Sequence, residues 1–216
     1  MNDTTTQTLT AADWICVFHH IGEAIEANKD RLDELDGAAG DGDHGVSMCI
    51  GFRAACRALD SLGEDATVDE VFSVAGRSFL SAAGGAIGPL IGTMWTDAAK
   101  ALAGRSQFGR AECGELLERM ESAVIRRGRA QPGDKTMLDA LHPAVEAIRL
   151  DSDGNIAQLL ECAADAAARG ARNTAGMIAR AGRSSRLGER TLGHEDAGAN
   201  SIAIILRTMA ETVKQL

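Results

Sequence analysis

The 216 residues carry 45% apolar side chains, enough for one sizeable core and within the usual single-domain range, so one domain over residues 1–216 is expected. A formal charge of −9 disfavours nucleic acid as a partner, because that affinity comes largely from Lys and Arg, and no segment approaches the roughly 18 apolar residues of a membrane span. Five cysteines without a CxxC pair argue against a disulfide framework or zinc site, and MNDTTTQTLT has no basic stretch leading an apolar core, so an unprocessed cytoplasmic protein is expected.

Tyrosine is absent, aromatics make up 3%, and Ala, Leu, Glu and Arg recur at helical spacing, which reads as all-α. The first helix starts at Thr10, where Thr10-Ala-Ala-Asp13 forms a capping box with Asp in place of Glu. Trp14, Phe18, Ile21 and Ile25 then make one apolar stripe, and the helix is expected to end near residues 28–30. An aspartate-rich turn follows. Met48, Phe52, Cys56 and Leu59 mark a second helix, and Thr67-Val-Asp-Glu70 caps a third that turns Val71, Val74 or Ala75, and Phe79 inward.

Glycines at 84, 85, 88 and 92 break the pattern, and Pro89 fits the first turn of a fourth helix running to about Ala103. Further helices are expected over 111–127, 134–149, 155–181 and 197–214, giving eight in total. Pro143 either kinks the sixth or starts a new helix at the preceding residue.

The chemistry concentrates in four segments. In Leu35-Asp-Gly-Ala-Ala-Gly-Asp-Gly-Asp-His-Gly45, four glycines let the backbone fold tightly, so Asp36, Asp41 and Asp43 can converge. Converging carboxylates repel unless a cation sits among them, and Mg²⁺ prefers oxygen ligands while keeping positions open for phosphate. The plainer reading is that Asp and Gly are turn residues and that the Asp-Gly-Asp string caps the next helix. An EF-hand is disfavoured, since the twelfth residue from Asp36 is Ser47 and from Asp41 is Phe52; Asp151-Ser-Asp-Gly-Asn155 likewise closes on Cys162 rather than Glu.

Gly84-Gly85 before a proline-started helix offers backbone N–H groups to a phosphate, or else marks close helix packing; no Gly-Lys-Ser/Thr follows, so it is not a Walker motif. In Gln131-Pro-Gly-Asp-Lys-Thr-Met-Leu-Asp139, Lys135 serves either phosphate or solvent. The polar stretch Arg183–Gly198 concentrates arginine in an otherwise acidic chain, as a phosphate fork or as surface partners of Glu189 and Glu195.

Taken in order, the segments Asp36…Gly40-Asp-Gly-Asp-His-Gly45, Gly84-Gly85…Gly88-Pro-Leu, Pro132-Gly-Asp-Lys-Thr-Met137…Asp139 and Gly182-Arg183…Gly193-His194…Asp196…Gly198 resemble the nucleotide-binding L subunit of dihydroxyacetone kinases. The resemblance covers nearly the whole chain. It implies a closed up-and-down barrel of eight antiparallel helices whose mouth holds the nucleotide. By position it implies Asp36, Asp41 and Asp43 as ligands of two Mg²⁺ ions on the phosphates of ADP or ATP, with His44, Gly45, Ser47 and Met48 as nucleotide contacts. Gly85 and Ala86 would meet phosphate or ribose, Met137 the adenine, and Arg183 the phosphates as the catalytic arginine, with Asp196 and Gly198 closing the site.

The resemblance further implies phosphoryl transfer to dihydroxyacetone or a related ketose such as erythrulose, held covalently by a histidine of a separate K subunit. The chain alone would then be an incomplete enzyme. Its donor would be exchangeable ATP, or a phosphotransferase-system phosphocarrier protein that rephosphorylates held ADP; a second copy of the chain, as a homodimer, completes the expected partners. Ile87, Val46-Ser47 and Ala197 depart from the family's pattern while the metal loop does not. Two readings of other classes stay open: a non-catalytic nucleotide- or lipid-binding regulatory module, and a metal-dependent hydrolase on the same aspartates with His44 as a candidate base.

Overall fold

The computed structural model describes residues 8–105, 107–150 and 154–216. The acidic string from Asp151 falls largely outside them. Among the described residues lie nine α-helices and two 3-10 segments: α1 (Ala11–Ala27), α2 (Lys29–Gly37), α3 (His44–Leu59), α4 (Val68–Ala82), α5 (Ile87–Ala101), α6 (Arg110–Gly128), α7 (Leu138–Leu150), α8 (Ile156–Asn173) and α9 (Ala197–Gln215), with 3-10 turns at Thr174–Gly176 and Arg183–Thr191.

Eight of the helices form a closed ring. α1 packs on α3, α3 on α4, and so on through α8 on α9, and α9 returns to α1. Most connections are short, as between antiparallel neighbours, while α1 reaches α3 through α2 and α8 reaches α9 through residues 174–196. The ninth helix, α2, lies outside the ring against α3 and α9. The turn expected after α1 is therefore partly helical, and the helix count is nine rather than eight. Its sequence, Lys-Asp-Arg-Leu-Asp-Glu-Leu-Asp-Gly, buries only Leu32 and so shows no apolar stripe to read.

Local sequence chemistry sets most helix starts. At α1 the Thr10 N–H donates to Asp13 Oδ2 at 2.7 Å and the Asp13 N–H donates to Thr10 Oγ1 at 3.3 Å. At α4 the Thr67 N–H donates to Glu70 Oε2 at 2.9 Å. Two boundaries differ from expectation. α7 begins at Leu138 instead of residue 134, because Gly133 (φ +96°) and Lys135 (φ +61°) have left-handed backbone that no α-helix accommodates. α8 stops at Asn173 instead of residue 181, where buried Thr174 opens the first 3-10 turn.

Pro143 is taken up inside α7. Its missing N–H leaves the Asp139 carbonyl without the usual helical donor. There α8 comes close: a Cβ at Gly170 would lie 2.1 Å from that oxygen, so no other residue fits.

One end of the ring is filled by aromatics. Trp14 meets Phe72 and Phe108 edge-on with centroids 4.8 Å apart in both pairs, and Phe18 meets Phe72 at 5.4 Å and Trp95 at 5.0 Å. All five rings are essentially inaccessible to solvent. Such pairs add about 0.5–1.5 kcal/mol each beyond their area burial, which makes this end the stability centre. Leu9, paired to Phe108 through both backbone groups, and the last turn of α9 sit at this same end. Among the described residues no helix is long and apolar enough to cross a membrane.

Candidate nucleotide and metal site

Because ring helices alternate in direction, every second connection lies at the end opposite the aromatic plug. Those connections are residues 28–43, 83–86, 129–137 and 174–196, which are the four segments singled out in the sequence. A cavity of about 170 Å³ opens there, lined from all four. Its walls come largely from the first turns of α3, α5 and α9 and the residues leading into α7. Four helix N-termini thus face one space, an arrangement that favours anions.

The aspartates meet on the α2–α3 side. Asp36 lies in the last turn of α2, and its Oδ2 accepts from the Gly42 N–H at 2.9 Å and the Asp43 N–H at 3.3 Å, folding the loop back over the carboxylate. One oxygen from each of Asp36, Asp41 and Asp43 lies within 4.8 Å of the others. Arg183 reaches across from the α8–α9 connection to pair with Asp41.

Asp43 occupies the N-cap position of α3 yet makes no capping bond. Asp33, which the sequence did not single out, caps the helix in its place. Its Oδ1 accepts from the Val46 N–H at 3.1 Å while Lys29 Nζ donates to its Oδ2 at 3.1 Å. The spacing of Lys29 and Asp33, four apart on a helix, was the available signal. Asp43 is consequently left to face the cavity. A Cβ on Gly45 would lie 2.2 Å from the Lys29 carbonyl oxygen, so glycine is needed for α2 and α3 to meet here.

Asp36, Asp41, Asp43, His44, Ser47, Gly85, Ala86, Met137, Arg183, Asp196 and Gly198 all line the cavity. Gly45 and Met48 do not: both are buried, Gly45 against α2 and Met48 in the core. His44 Nε2 is 2.8 Å from Ser201 Oγ, and burial lowers its pKa against the opposing charges of Asp36 and Asp33. Beside the polar cavity is a second, more apolar one of about 440 Å³, sharing Gly85, Ala86, Leu90 and Met137 and adding Pro89 and Val124.

Asp196 caps α9 by accepting from the Ala199 N–H at 2.7 Å. Burial of its carboxyl raises the pKa to about 7, reinforced by Asp139 and Asp36 and opposed by the Ala199 bond and Lys135. The folded state therefore holds a proton that the unfolded chain, with an ordinary value of 3.8, releases. Stability from this proton is fully present below 3.8 and is lost as pH rises through about 7. In metal- and nucleotide-free protein, Asp196→Asn, neutral throughout and a good cap, should flatten the decline in unfolding temperature between about pH 4 and about pH 7. Thermal unfolding followed by circular dichroism checks this, and an unchanged slope counts against it.

The DAK2 domain family matches residues 38–211. The ADP-binding subunit DhaL of the PEP-dependent dihydroxyacetone kinase of Escherichia coli is 37% identical over 90% of this chain and 93% of its own length. The D-erythrulose kinase of Mycolicibacterium smegmatis is 37% identical over 91% of this chain, which spans only 34% of that protein. The crystal structure of the dihydroxyacetone kinase of C. freundii superposes with a TM-score of 0.72 at 25% identity, covering 98% of this chain and 36% of the other. With one family spanning most of the sequence, a fold to match and relatives aligned nearly end to end, this protein belongs to the DAK2-domain family, in its DhaL group.

Proposed function

We propose that the chain binds a magnesium–adenine nucleotide and is the phosphoryl-transfer subunit of a kinase for dihydroxyacetone or a closely related ketose, acting with a separate sugar-binding subunit. The observation that carries this reading is the convergence of Asp36, Asp41 and Asp43 within 4.8 Å at a cavity that four helix N-termini face and Arg183 closes. An all-oxygen donor set open on one side suits a hard divalent ion shared with phosphate, and two such ions match the family resemblance. Held by Asp36, Asp41 and Asp43, magnesium would neutralise phosphate charge.

The protein's own residues divide the remaining work. Ala86, Ile87 and Gly198 bring the starts of α5 and α9 to the cavity, where N–H groups can bind phosphate oxygens. Leu90 and Met137 belong to both cavities and offer an apolar surface to a purine, with Pro89 and Val124 beyond them. Arg183, the one arginine among the described residues that line the polar cavity, presents a planar fork to the transferring group. Phosphoryl transfer through a loose transition state is accelerated mainly by positioning and neutralisation, which this set supplies without a nucleophilic side chain.

The E. coli and Listeria innocua relatives are named PEP-dependent and the Lactococcus lactis relative PTS-dependent, and each aligns with this chain over nearly its whole length. A phosphocarrier protein of a phosphotransferase system is accordingly the expected donor. The test is reconstitution from the purified chain, a K-type subunit, dihydroxyacetone or erythrulose, and either ATP or phosphoenolpyruvate with phosphotransferase proteins. Sugar phosphate should form only when both subunits are present. Phosphate release or turnover by the chain alone would favour the hydrolase reading, and nucleotide binding without product in any combination would favour a regulatory module.

A further inference from the structure

The turn between α6 and α7 carries Lys135, which lines the polar cavity but spends its ammonium on backbone. Lys135 is 3% exposed and has left-handed backbone (φ +61°), rare for a residue other than glycine. Its Nζ donates to the carbonyl oxygens of Met177 at 3.1 Å, Thr191 at 2.5 Å and His194 at 2.6 Å. An ammonium has three N–H groups, so these neutral acceptors use its full capacity. Burial lowers the lysine's pKa, and the charge of Asp196 acts the other way. Desolvating a cation against carbonyls alone is costly, and so is its backbone conformation; both persist only where the surroundings fix them.

The three acceptors are spread along the α8–α9 connection. Met177 follows the first 3-10 turn, Thr191 ends the second, and His194 lies just before the cap of α9. Arg183 stands between the first two, so both feet of the segment that carries it are tied to one nitrogen. Other bonds run the same way: the Arg180 N–H donates to the Asp134 carbonyl at 3.0 Å, and Thr191 Oγ1 accepts from the Ala179 N–H at 3.0 Å. The lysine's own turn is fixed by Asp139, which accepts from the Gly133 N–H at 2.5 Å and the Thr136 N–H at 2.7 Å.

We propose that Lys135 is a positioning residue, whose ammonium clamps the α8–α9 connection so that Arg183 is held at the cavity wall beside Asp41. This rests on the phosphoryl-transfer reading, in which Arg183 meets the transferring group. The clamp acts through Arg183, since all three N–H groups of the ammonium are taken by backbone carbonyls. Two surfaces of the nucleotide site, Met137 on the α6–α7 side and Arg183 on the α8–α9 side, thereby become one rigid unit.

The test is a double-mutant cycle in the kinase reconstituted with its sugar-binding subunit, dihydroxyacetone and the active phosphoryl donor. Lys135→Met should keep the helical circular dichroism and leave Mg–ADP affinity within about threefold, while kcat falls by about 100-fold, the scale of a misplaced catalytic group. Lys135→Arg, which keeps the charge and N–H donors, should recover part of that loss. Added to Arg183→Ala, Lys135→Met should lower kcat by less than about threefold more, because residues acting as one unit are not additive.

A kcat within about threefold of wild type for Lys135→Met, or losses that multiply in the double variant, would overturn the clamp. If Arg183→Ala is damaging and Lys135→Met silent, the clamp alone fails. If Arg183→Ala is itself silent, the catalytic role of Arg183 fails and the clamp with it, whereas a reconstituted mixture that forms no sugar phosphate refutes the phosphoryl-transfer reading itself. Should Lys135→Met not fold, Lys135→Gln, which keeps two N–H donors, takes its place in the same cycle.

Discussion

Asp41→Asn leaves the helical circular dichroism unchanged and removes Mg–ADP binding. Asp41 is exposed on the loop after α2, and its side chain pairs with Arg183, an exposed pair worth little to stability. Its carboxylate is nevertheless one of three sharing a space 4.8 Å across. Turning it to an amide keeps the shape and deletes one negative charge where a dication must be compensated. The expected loss of affinity exceeds the roughly 100-fold upper range seen when a residue merely supporting a metal ligand is removed. Isothermal titration calorimetry reads it directly, and undiminished binding would falsify the metal assignment.

Arg183→Ala acts on the other side of the reaction. Here the nucleotide still binds, since the metal loop and the apolar cavity beneath Met137 are untouched, and the loss falls on turnover. An arginine that stabilises charge during phosphoryl transfer is worth about 10³-fold or more in kcat. Arg183→Lys restores little, because an ammonium on a flexible stem cannot offer two parallel N–H donors. Steady-state rates of the reconstituted enzyme decide the matter: a kcat within about tenfold of wild type for Arg183→Ala shows that the guanidinium serves only to pair Asp41 in the empty site.

Much of the architecture was legible because the chain is locally consistent. The stripe Trp14, Phe18, Ile21 and Ile25 is wholly buried, and the capping boxes at Thr10 and Thr67 start their helices where the motif places them. Local pattern failed where tertiary geometry decides. α2 has one buried side chain and hence no periodicity to detect, and residues 134–137 have helix-compatible side chains yet are broken by left-handed backbone at Lys135, in a turn that Asp139 fixes. The end of α8 was missed for a similar reason, as Thr174 receives the Asp196 N–H from beyond the next connection.

The candidate site was legible in its parts before it was legible as a whole. Each of the four segments taken singly had a plainer reading as a turn or a cap, and only their order along the chain joined them. What sequence does not disclose is how duties are shared among similar residues. Asp33 caps α3 and leaves Asp43 for the cavity, Asp139 fixes a turn, and Lys135, read as a partner of phosphate or water, bonds instead to three backbone carbonyls. Carboxylates and ammonium groups look alike in a string of letters; their partners come from elements far away in the chain.

The aromatic end of the ring has one more consequence. Leu9 and the last turn of α9 both lie there, a full helix length from the mouth. Chain continuing past Leu9 or past the last turn of α9 starts from the back of the barrel and leaves the mouth open. Relatives three times as long and relatives of equal length can therefore share one unit of this kind.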